Sequence, residues 1–159
     1  VAQTIQPVTC PIHIPSYTDK QPYFLNTIEL NMQSKPHGDY TLEWQGEVLH
    51  AFPRGNFNEY GIIALKHAVL NNLAGHTNWV LFERPSNKAG IIPEAINELA
   101  KAFAEYQQQG CILIIIEVPA VFGAAIKAEA AKHSDIPVIY DTDPLCLAQI
   151  AQDTLNSSH

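Results

Sequence analysis

The chain has 159 residues, 47% of them apolar and 16% charged, with a formal net charge of −7. That length allows one domain with a real core. The acidic balance and the lack of any basic stripe exclude a nucleic-acid footprint, and no apolar run approaches the ~18 residues of a membrane-spanning helix.

The N-terminus lacks the basic flank and apolar core of a signal peptide, so the expected location is cytoplasmic. Three cysteines, Cys10, Cys111 and Cys146, lie far apart. An odd count without CxxC spacing argues against a disulfide framework or a zinc knuckle. They read as small buried hydrophobes.

Residues 1–37 hold five of the eleven prolines, Pro7, Pro11, Pro15, Pro22 and Pro36, and show no sustained period. This composition predicts an extended arm outside the core. Met32 is the only methionine; its place just before the patterned region makes a natural start there one option, with residues 1–31 belonging to the native product as the other.

From Tyr40 the pattern tightens. "YTLEWQGEVLHAF" predicts two short antiparallel strands around Gly46. In "NEYGIIALKHAVLNNLAG", Ile62, Leu65, Val69 and Leu73 share one face of a helix that Gly75 closes. "WVLFE" (79–83) is a strand. "PEAINELAKAFAEYQQQG" is a helix with Pro93 in its first turn and Gly110 beyond its end, its stripe being Ile92, Ile96, Leu99, Phe103 and Tyr106. "CILIIIEV" (111–118) is apolar on both faces and so central in a sheet. "AVFGAAIKAEAAKH" is an Ala-rich helix, "IPVIYD" the last strand, and "DPLCLAQIAQDTL" the last helix, with Asp143 as N-cap and Pro144 after it.

The order β-β-α-β-α-β-α-β-α predicts an α/β domain: a mostly parallel sheet of about five strands, the first antiparallel, with four helices. Sequential right-handed crossovers would place every helix on one face.

This order, with the stretches "HAFPRGNFNEYGIIALKHAVL" and "NWVLFERPSNKAGIIPEAINELAKAF", resembles the STAS domains, above all their SpoIIAA-like branch, over roughly residues 39–155. In the first stretch Gly55, Phe57 and Asn58 stand where the family has a Gly, a hydrophobe and an Asp or Asn before its first helix. The same β-α superhelical plan occurs in CRAL-TRIO (Sec14-type) lipid-binding domains. The resemblance implies a non-enzymatic module over residues 38–157. Classical members are anti-sigma antagonists switched by phosphorylation of a Ser at the start of the second helix. Here "RPSNKAG" replaces the Asp-Ser-Ser-Gly-like motif, and Ser86 is its only hydroxyl. The SpoIIAA-like branch implies homodimers, small apolar ligands and peripheral membrane contact.

The residues themselves offer three sites. "FPRGNFNEYG" contains neither a P-loop nor a dinucleotide turn. It reads as a structural turn capped by Asn58, with Arg54 near a helix N-terminus as an anion-binding option. Strand parity places Glu83, Glu117 and Asp141 at one sheet edge, where grouped carboxylates would bind Mg²⁺ or exchange protons; acids at wet strand ends also simply face helix N-termini. Finally, the loops after two strands are unexpectedly apolar, so that Ile91, Ile92, Val121 and Phe122 form a candidate ligand mouth or membrane contact.

The sequence thus reads as a binding module without a cofactor, holding a small apolar or amphipathic, lipid-like ligand. An anti-sigma antagonist that binds a protein partner, and a Mg²⁺-dependent hydrolase, stand as alternatives.

Overall fold

A computed structural model of the chain describes residues 35–158. The arm expected over residues 1–37 falls almost entirely outside them, as do Met32 and Cys10.

Strands β1 (Asp39–Gln45) and β2 (Val48–Arg54) form the expected hairpin. Gln45 pairs with Val48 across a two-residue turn. Gly46 holds φ at 60°, a value such turns demand and other residues resist. Two further short strands, β3 (Asn56–Phe57) and β5 (Gly90–Ile91), pair in parallel as a separate ribbon. They flank β4 (Trp79–Glu83), which joins β6 (Cys111–Glu117) and β7 (Val138–Asp141) in the main sheet. The main sheet has the order β1-β2-β4-β6-β7 and is parallel except for β1.

Helices α1 (Glu59–Asn71), α2 (Pro93–Gln108) and α3 (Ala120–Ala130) connect neighbouring parallel strands. Every step moves the same way along the sheet, so right-handed crossovers put all three on one face. There Leu65, Leu99 and Phe103 meet Leu49, Leu81 and Ile114 in the larger of two core clusters.

Helix α4 (Pro144–Ser157) departs from the one-face expectation. It packs Leu147, Ala151 and Leu155 against Val80, Phe82, Leu113 and Ile115 on the opposite side. The physical reason is topological. Because α4 follows the last strand, it bridges no strand pair, and the handedness rule leaves it free. The two-sided apolar strands β4 and β6 need a second cover, and α4 supplies it.

Two helix starts match their sequence signals. The Asn58 Oδ1 accepts from the Gly61 N–H at 2.8 Å and from the His37 N–H at 3.0 Å. A Cβ at Gly61 would run into the His37 carbonyl oxygen, so glycine is what lets the incoming chain lie against α1. The Asp143 Oδ1 accepts from the Leu145 and Cys146 amides at 2.9 and 3.3 Å, with Pro144 starting α4. Cys111 is buried, as expected, and burial pushes its thiol up to about 12. Cys146 is exposed, because the core-facing stripe of α4 is Leu147, Ala151 and Leu155 and Cys146 lies off it.

Candidate functional site

In a parallel α/β sheet, the carboxyl ends of the strands and the amino ends of the following helices share one edge. Here that edge holds a cavity of about 680 Å³. Its walls come from α1 (Ile62, Leu65), α2 (Leu99), α3 (Ile126), the β3 residue Phe57 and the β6 residue Ile116. The ribbon of β3 and β5 forms part of the rim, through Phe57, Gly90 and Ile91. Exposed Asn87 and Phe122 mark the mouth.

One acidic side chain breaks this apolar wall from within. Glu83 ends β4 only 6% exposed, lines the cavity and has no hydrogen-bond or ion-pair partner among the described residues. Its strand neighbours in register are Ala51 and Ile116, both buried. Loss of water around the carboxyl pushes its pKa up from 4.5 to about 7.

The expected carboxylate triad does not assemble. Between Trp79 and Val80 the β4–β6 pairing shifts by one residue, so Glu83 stands beside Ile116, whereas unshifted pairing would set it beside Ile115, which shares a face with Glu117. Residues beside each other in register share a face. Glu83 therefore looks toward α1 and α2, whereas Glu117 pairs with Asp141 in register on the α4 side. Glu117 accepts from the Arg84 Nε at 2.8 Å, and the Arg84 guanidinium lies over the rings of Phe52 and Phe82. Asp141 accepts from the backbone amides of Thr142 and Asp143. No group of three or more His, Cys, Asp or Glu among the described residues is placed to hold a metal ion.

Arg54 is not at the cavity. It makes an exposed 3.0 Å ion pair with Asp39, its cross-strand partner. Ser86 lines the cavity but belongs to the loop before β5, well ahead of the α2 start at Pro93. Its N–H donates to the Pro53 carbonyl and its carbonyl accepts from the Ala89 N–H, which makes it a turn residue.

The four apolar loop residues divide. Ile91 and Phe122 line the cavity. Ile92, expected in the core-facing stripe of its helix, is instead the N-cap of α2 and 40% exposed. Val121 is 73% exposed on the first turn of α3. Both lie outside the cavity, on the same edge. Leu145, in the first turn of α4, adds a further exposed apolar side chain at this end of the sheet. No helix among the described residues is long and apolar enough to cross a membrane. Strand parity alone makes Glu83 one of three equal acids. The signal of its difference lay in "WVLFE", four buried apolar residues that carry the acid into the interior.

Comparison with protein-family models finds no match for this chain, and comparison with curated proteins finds no similar one.

Proposed function

We propose that residues 38–157 form a non-enzymatic binding module for one small apolar or amphipathic ligand, held in the cavity at the carboxyl ends of β4 and β6. The observation that carries this reading is the cavity itself. Its volume lies within the ~300–1,000 Å³ of typical small-molecule sites, and such sites are mostly apolar with few polar groups. The STAS-like order of elements supports the same reading, since the SpoIIAA-like branch it resembles is associated with small apolar ligands. Exposed Ile92, Val121 and Phe122 give the mouth an apolar rim suited to peripheral contact with lipid.

The hydrolase alternative loses its residue set, because Glu83 is turned away from Glu117 and Asp141. Ser86, on which the antagonist alternative would place a phosphoryl switch, does not begin a helix.

Native mass spectrometry of the protein purified without detergent, followed by titration with a fluorescent alkyl probe, tests the proposal. A retained small molecule, or saturable binding of one probe per chain, is expected. A ligand-free protein that binds no neutral apolar probe would overturn it.

A further inference from the structure

We propose that Glu83 anchors the ligand in this cavity and that the ligand is an apolar body carrying one protonated amine. This deepens the binding-module reading and rests on it.

The first support is the inventory of charge. Among the described residues lining the cavity there is no Lys, Arg or His, and the two acidic residues are Glu83 and Glu117, of which Glu117 points its side chain to the other face of the sheet. Glu117 already has Arg84 as its partner at 2.8 Å. Glu83 has none, although it is buried in an apolar wall. Native proteins rarely bury a carboxyl without a partner, because desolvating it is costly unless an opposite charge or hydrogen bonds offset the loss. An ammonium group supplies both, and away from bulk water the attraction between the two charges is strong.

The second support is discrimination. A ligand carboxylate would set a like charge against Glu83 or require it to stay protonated. An alcohol would offer a neutral hydrogen bond only. The amino ends of α2 and α3 lie at the mouth, so an anionic head would sit there and leave Glu83 unused.

The groups facing Glu83 keep its titration simple. From α1 the wall offers Ile62 and Leu65, from α3 Ile126 and Phe122, and from β2 Pro53, none of which titrates. From α2 the titratable group that feels the Glu83 charge is Tyr106, whose phenol is pushed well up by burial and then by that charge, and so stays neutral. From β6 the neighbour in register is Ile116, which does not titrate, while Glu117 points to the other face and pairs with Arg84. Binding of an amine therefore draws a proton off Glu83, whose pKa burial has raised to about 7.

The test is calorimetric titration of the full chain with octylammonium, 1-octanol and octanoate at about pH 8 and about pH 5.5, a range in which an alkylammonium keeps its charge as lysine does. At the higher pH octylammonium should bind about tenfold or more tightly than 1-octanol, as expected for a charge-assisted hydrogen bond against a neutral one. Octanoate should bind least. The advantage of the amine should shrink at the lower pH, and Glu83→Gln should abolish it while 1-octanol still binds. Octanoate binding as tightly as the amine, or an amine advantage that survives Glu83→Gln, would overturn the assignment. If 1-octanol binds but the amine gains nothing, the role of Glu83 falls and the apolar cavity stands. If 1-octanol itself does not bind, both fall. The unmutated series decides these outcomes even if the variant folds poorly.

Discussion

Glu83→Gln should make the ligand-free protein more stable, by an amount that grows from about pH 4.5 and is complete above about pH 7. The side chain is 6% exposed, and burial lifts its pKa from 4.5 to about 7. Below the lower value the carboxyl is protonated in both folded and unfolded chains and contributes nothing to the pH dependence. Between the two values the folded chain holds a proton that the unfolded chain has released, so stability falls as pH rises. Above the upper value the full cost is present. The gap of about 2.5 converts, at about 1.36 kcal/mol per pKa unit, to about 3 kcal/mol. A glutamine has the same shape and no charge, so it removes this cost at high pH. Urea unfolding of both proteins at about pH 8 and about pH 4 measures the effect. The variant should gain up to about 3 kcal/mol at the higher pH, less whatever its own unpaired amide loses, and little or nothing at the lower. Either of two results would refute the reasoning: a gain of equal size at both values, which would mean that the charge is not what costs stability, or a loss at the higher one, which would mean that Glu83 is ionised with a stabilising partner.

Other predictions follow from the junctions and the rim. Asn58→Ala removes the acceptor for two amides and should cost ~0.5–2 kcal/mol in urea unfolding, whereas Arg54→Ala breaks only an exposed pair and should cost less than about 1 kcal/mol. Phe122→Ser combined with Ile91→Ser should weaken binding of a fluorescent alkyl probe while circular dichroism stays unchanged; undiminished binding would remove both residues from the site. A thiol-reactive maleimide should modify Cys146 within minutes in the folded protein and Cys111 only on unfolding, as read by peptide mass mapping.

The sequence made the local devices legible because each carries its own chemistry. Gly46 in a two-residue turn, Asn58 and Asp143 as caps, Pro93 and Pro144 at helix starts, and the two-sided run of β6 all stand where their patterns put them. What it hid was register. Parity within a strand says which residues share a face of that strand, but not how that strand aligns with its neighbour. One shift between Trp79 and Val80 turned Glu83 to the opposite face from Glu117. The ribbon of Asn56–Phe57 with Gly90–Ile91 escaped for a related reason, since two residues carry no period. The side taken by α4 was hidden too, because its stripe of Leu147, Ala151 and Leu155 is compatible with either apolar face of β4 and β6. The apolar candidates all stand at the edge that holds the cavity. The sequence did not separate Ile91 and Phe122, which line the cavity, from Ile92 and Val121, which do not.

The most direct test of the binding-module account is a methyl NMR titration of the protein with 1-octanol. The account predicts saturable shifts concentrated on Ile62, Leu65, Leu99, Ile116 and Ile126, which line the cavity. Val80, Leu113, Ile115 and Leu147, in the cluster under α4, should stay still. Absence of saturable shifts, or shifts centred on the α4 cluster, would contradict it.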